Sequence, residues 1–179
     1  SDRLSSLATE GFDLAIRHTA RPPDTHVAWT LCRTDSVLVA SKAYLRRAST
    51  PLTPTDLQSH NCLHYLRAQD TPTWTLQRVK PKMKDERMTV PVTGQLAANN
   101  SEVLREAALA GLGIALLPDF SAQAALRKGL LVSVLPDWQV DGGFARHIWA
   151  IRPYTPHVPR AVVALVTHLR EGLAAGFAA

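Results

Sequence analysis

Apolar positions along this chain follow two rhythms, the period of about two of a strand and the period of about 3.6 of a helix. Leu4, Leu7 and Ala8 have helical spacing with Gly11 as a stop, and residues 11–17 read as a short buried strand. Arg21-Pro22-Pro23-Asp24 is a turn, since neither proline suits a ladder position. Residues 27–40 look extended, with a break at Thr34-Asp35. Ser41 predicts a cap for a helix over 42–47, its hydroxyl meeting the free amides of the first turn. A loop with Pro51 and Pro54 leads to a short turn at 55–58. Strands are predicted at 62–66, 74–77 and 88–97, the last from Val90 and Val92 alternating with Thr89 and Thr93.

The clearest helix spans 101–110. Asn99 or Asn100 caps it, and Glu102 stands three residues after Asn99, a capping-box spacing. Val103, Leu104, Ala107 and Ala108 line one face, and Gly111 ends the helix in a left-handed conformation. Residues 114–117 are all apolar, as in a strand buried on both faces of a parallel sheet, and Pro118 stops it. A helix at 121–128, a strand at 130–135, a turn at Asp141-Gly142-Gly143 and a strand at 147–151 follow. Pro159 opens a closing helix whose apolar stripe is Val162, Leu165, Val166, Leu169 and Leu173. Strands alternating with helices indicate an α/β fold.

Composition narrows the class. With 179 residues, 46% hydrophobic, the chain can bury one sizeable core or two small ones. Its apolar runs are far too short to span a bilayer, and no signal-peptide pattern opens it. Cys32 and Cys62 alone cannot make a disulfide framework, so a reducing cytoplasm is expected. The net charge of +5 is spread along the chain. Its one dense stretch, Arg78, Lys80, Lys82, Lys84 and Arg87, is broken by Pro81, Asp85 and Glu86 and reads as a solvated loop between strands.

Catalytic and cofactor motifs are wanting. Gly111-Leu112-Gly113 follows a helix and opens a strand, the reverse of a dinucleotide site. No phosphate-loop, nucleophile-elbow or His-Glu-x-x-His pattern occurs, so no enzyme activity, cofactor or metal is expected. His60, Cys62 and His64 alternate, a spacing that puts soft ligands on one strand face, but no fourth ligand is near and a structural role is preferred. Asn99, Asn100 and Ser101 say more. Capping needs only one of them, so spare hydrogen-bonding groups remain at a helix start where the dipole favours an anion. Ser41 offers a second such start, and Arg17 follows an apolar strand, where α/β sheets place ligand groups.

Several stretches, in order, resemble one family. Residues 10–17 (EGFDLAIR), 37–45 (VLVASKAYL), Asp56-Leu57 with His60 and Cys62-Leu63, and above all 104–118 (LREAALAGLGIALLP) are similar to the effector domain of LysR-type transcriptional regulators. The resemblance covers nearly the whole chain. It implies a two-lobed α/β fold like a periplasmic binding protein, with two crossover strands. The first lobe would comprise 1–38 and 136–179 and the second 39–135. A small-molecule effector, with a carboxylate as the guess, would sit in the cleft against Ala15, Arg17, Ser41, Asn99, Asn100 and Ser101. Partners implied are DNA, through a helix-turn-helix absent from this chain, and further copies in a homodimer or homotetramer, with no membrane. Ser1-Asp2-Arg3 resembles a point past the family's second strand, so an incomplete first lobe is expected. The rival reading is a solute-binding protein of a transport system with the same architecture.

Overall fold

In the computed structural model, residues 11–66, 72–79 and 86–177 are described, and they divide into two compact units, 36–143 and 11–35 with 144–177. The helix expected before Gly11 lies outside the described residues.

Unit 1 is built on a five-stranded sheet of order β7-β4-β8-β3-β9: β3 is Ser36–Ser41, β4 Cys62–Tyr65, β7 Ala97–Ala98, β8 Ile114–Pro118 and β9 Leu131–Ser133. β4 runs parallel to β7 and β8, while β3 is antiparallel to β8 and β9, so the sheet is mixed rather than all parallel. β8 is buried at all five residues, as its unbroken apolar run requires. One sheet face carries Val39, Leu63, Ala115, Leu117 and Leu131. These pack with Leu104, Ala107 and Ala108 of α2 (Ser101–Leu109) and Ala122 and Ala125 of α3 (Asp119–Arg127). Small alanines on both helices let them approach the sheet closely. Val103, expected on that face, is 47% exposed instead, because the helix turns only Leu104, Ala107 and Ala108 inward.

Local signals set the helix ends. Ser41 Oγ accepts the Tyr44 amide at the start of α1 (Lys42–Ala48). Gly111 adopts φ +79°, and the Gly111 and Leu112 amides return to the Ala108 and Ala107 carbonyls, closing α2. The turn expected at 55–58 is a 3-10 turn, Pro54–Ser59, with Asp56 accepting the Leu52 and Thr53 amides at 2.9 Å each.

The long strand expected over 88–97 does not exist as one piece. Its first part, in β6 (Arg87–Pro91), joins β5 (Thr73–Arg78) and β10 (Trp138–Asp141) in an antiparallel sheet, and its last residue, Ala97, opens β7 in the other sheet. Gly94 marks the crossing. A Cβ there would stand 2.0 Å from the Cys62 carbonyl oxygen, so only glycine lets the chain pass against β4. β10 had no sequence signal. Its pairing with β5 places 136–143 in unit 1, where the sequence reading had put them in the first lobe.

Unit 2 is a three-stranded antiparallel sheet, order β1-β11-β2, of β1 (Ala15–His18), β2 (His26–Arg33) and β11 (His147–Pro153), with helix α4 (Arg160–Gly172). β1 starts later than expected, and it is not a buried strand, since Ile16 is 53% exposed. Of the α4 stripe, Val162 and Val166 are buried while Leu165 is exposed. The break at 34–35 is real: the Thr34 amide and hydroxyl bind the Arg146 and Ala145 carbonyls, which turns the chain out of β2.

Candidate functional site

A cavity of about 260 Å³ lies within unit 1, lined by residues that include His64 and Tyr65 of β4, Trp74 of β5, Leu116 of β8, and Val140 and Asp141 of β10. Topology makes it. Tyr65 and Leu66 stand where β4 ends, the end of a parallel strand at which α/β sheets gather ligands. Leu116 points away from the face packed by α2 and α3, toward the side where Trp74 and Val140 line the same space.

The hydrogen bonds fix the chemistry of the walls. His64 Nδ1 lies 3.2 Å from the Cys62 carbonyl. A carbonyl only accepts, so Nδ1 carries the proton, and in the neutral ring Nε2 presents a lone pair. Nε2 makes no hydrogen bond among the described residues. The Tyr65 hydroxyl donates to the Asn99 carbonyl at 2.6 Å, which ties the cavity wall to the start of α2. Asp141 accepts from Arg87 at 2.8 Å, and Arg87 is not among the lining residues.

The residues singled out in sequence fall in different places. Asn100 is the cap of α2, its side-chain oxygen accepting the Glu102 amide at 2.7 Å; Asn99 and Glu102 form no capping box. The side chains of Asn99 and Ser101 make no hydrogen bond among the described residues, so the spare groups expected at this helix start are present. Ser41 is not with them. Because β3 is antiparallel to β8, Ser36 stands opposite Pro118 at the edge where β4 and β8 end, and Ser41 lies at the other edge, five residues or about 17 Å along the strand. Its hydroxyl is buried, caps α1 and faces Gly111. Ala15 and Arg17 share one face of β1 in unit 2, opposite Ile151 and Trp149.

His60, Cys62 and His64 are each committed to a separate contact. Tyr44 is buried and accepts the Asn61 amide, so its hydroxyl donates to His60 Nδ1 at 3.0 Å. Burial lowers the His60 pKa and holds the ring neutral. The Cys62 thiol donates to the Leu57 carbonyl, and burial pushes its pKa up to about 12, so it stays an unreactive thiol. No three metal-ligating groups gather among the described residues.

His64, Tyr65, Trp74, Val140 and Asp141 were missed as site residues. The position of His64 and Tyr65 at a strand end was the available signal for two of them. Val140 and Asp141 belong to a strand whose sequence carries no periodic pattern.

The sequence matches the profile of the LysR substrate binding domain over residues 1–174. It is 32% identical over 170 residues to the probable HTH-type transcriptional regulator LtrA of Klebsiella pneumoniae, covering 95% of this chain and 53% of that protein. It is 34% identical over 173 residues to the HTH-type transcriptional regulator PtxR of Pseudomonas aeruginosa, covering 96% and 53%. The chain thus spans about half the length of these relatives. The regulatory domain of AphB from Vibrio vulnificus superposes with a TM-score of 0.68 at 28% identity, over 91% of this chain and 76% of that one.

Proposed function

We propose, from the premise that this chain belongs to the family of LysR substrate-binding domains, that it senses a small-molecule effector for a transcription regulator. The observation that carries the reading is the unit-1 cavity joined through Tyr65 to the amide-rich start of α2. Asn99, Asn100 and Ser101 are its polar rim. Ser41, buried as a cap at the far sheet edge, serves structure. The described lining residues of the cavity offer an acceptor and aromatic walls, a set suited to binding a ligand. DNA contact falls to a helix-turn-helix domain such as the names of the relatives state, assembly to further copies of the chain, and the setting is the cytoplasm. Effector binding controls transcription only if it favours one state of the regulator over another.

Calorimetric titration of the chain with a library of small metabolites tests this. Binding weakened by about tenfold in Asn100→Ala and in Tyr65→Phe is expected, as for loss of a hydrogen-bonded wall. Binding unchanged in both variants would remove this site from the effector role.

A further inference from the structure

We infer that the unit-1 cavity selects a compact, uncharged, planar molecule bearing a hydroxyl or N–H donor, and that His64 Nε2 reads that donor. The inference rests on the effector reading and specifies its ligand.

Three observations converge. The cavity, at about 260 Å³, sits just below the usual range for drug-sized ligands, so one substituted ring fills it. Its walls are flat and apolar on several sides: Trp74, Tyr65, Leu116 and Val140 offer stacking and edge contacts. Its polar character is that of an acceptor. The tautomer of the neutral His64 ring, set by the Cys62 carbonyl, leaves a lone pair at Nε2, and the charge in the wall is the Asp141 carboxylate, paired with Arg87. Among the described lining residues none is Lys or Arg.

That set disfavours the carboxylate guessed from the sequence. A carboxylate would meet Nε2, a lone pair, and Asp141, a like charge that Arg87 pairs at 2.8 Å from outside the lining, and no cation among the described lining residues compensates its lost hydration. A hydroxyl gives its proton to Nε2 and leaves the ring against Trp74. Replacing that hydroxyl by a methyl ether keeps the ring and its oxygen, puts a methyl in place of the proton and leaves Nε2 desolvated and unpaired, which is the costly outcome.

The test is calorimetric titration of the whole chain with three matched compounds: 4-ethylphenol, 4-ethylanisole and the 4-ethylbenzoate anion. The phenol is expected to bind about tenfold more tightly than either of the others, the worth of one hydrogen bond. His64→Leu should bring the phenol down to the level of the anisole, and His64→Gln, which keeps an acceptor, should restore part of the preference. Thr73→Trp, a change at an exposed lining position, should block all binding. Thermal melting confirms that each variant is folded. Tighter binding of the benzoate that is lost in Thr73→Trp would overturn the donor inference and leave the effector pocket standing. Phenol binding with preference intact in His64→Leu would remove His64 from the role. Binding indifferent to Thr73→Trp would overturn the pocket itself, and the inference with it. No binding by any of the three would overturn the ligand class, while a different effector blocked by Thr73→Trp would leave the pocket in place.

Discussion

The two units solve the same problem, burying an α/β sheet, to different depths. In unit 1 the central strand β8 is buried throughout, α2 and α3 cover one sheet face, and the other face meets the walls of a cavity. Unit 2 has three strands and one described helix, with Ile16 and Leu165 exposed. It also buries a charge: Arg152 is 5% exposed, its guanidinium donates to Thr155 Oγ1 and the His157 carbonyl, and Nε and Nη1 have no partner among the described residues. No carboxylate among the described residues pairs with it. A filled apolar core can support a shaped pocket, whereas a thin one spends stability on a single buried ion.

Breaking unit 1 should be the costliest change. Gly94→Ala drives a Cβ to 2.0 Å from the Cys62 carbonyl, backbone against backbone, and should destabilise unit 1 by about 3 kcal/mol in chemical denaturation. Leu104→Ala empties a fully buried site between α2 and the sheet and should cost nearly as much, about 2–3 kcal/mol. Hydrogen exchange read strand by strand sharpens the contrast: protection in β4 and β8 should fall, while β2 and β11 keep theirs. Equal losses in all four strands would show that the units do not unfold separately.

Arg152→Met tests unit 2 from the opposite side. Exchanging a buried charge that pairs with no carboxylate among the described residues for an apolar chain should stabilise the protein by about 1 kcal/mol, despite the loss of the contacts to Thr155 and His157. A lower melting temperature would mean that the guanidinium is compensated after all.

Smaller still is the effect of acid on unit 1. His60 has a lowered folded pKa, so the unfolded chain binds the proton more readily. The stability contributed by the neutral ring is therefore present above the ordinary histidine pKa of about 6.5 and is lost as pH falls through that value toward the lowered one. His60→Asn, whose amide oxygen can accept from the Tyr44 hydroxyl, should flatten the dependence of melting temperature on pH in this range.

Much of this was legible in the chain. Ser41 and Gly111 announce helix ends because capping is local chemistry, and residues 114–117 announce a buried strand because nothing polar interrupts them. Asn100 as a cap with spare neighbours was readable for the same reason. Local pattern failed where a partner decides. Residues 88–97 look continuous until Gly94 must pass Cys62, and Ser41 looks like a ligand group until the antiparallel register of β3 carries it to the far edge.

The sequence by itself determined the α/β alternation, the caps and the resemblance to LysR effector domains, all properties of neighbours along the chain. Only the tertiary structure decided which strand ends meet, and so which groups line the cavity. His64, Trp74 and Asp141 come from three separate strands, brought to one space by pairing between residues 52 to 66 apart in the chain. The direction of a lone pair, set here by the hydrogen bond of His64 to the Cys62 carbonyl, exists only once that strand has formed.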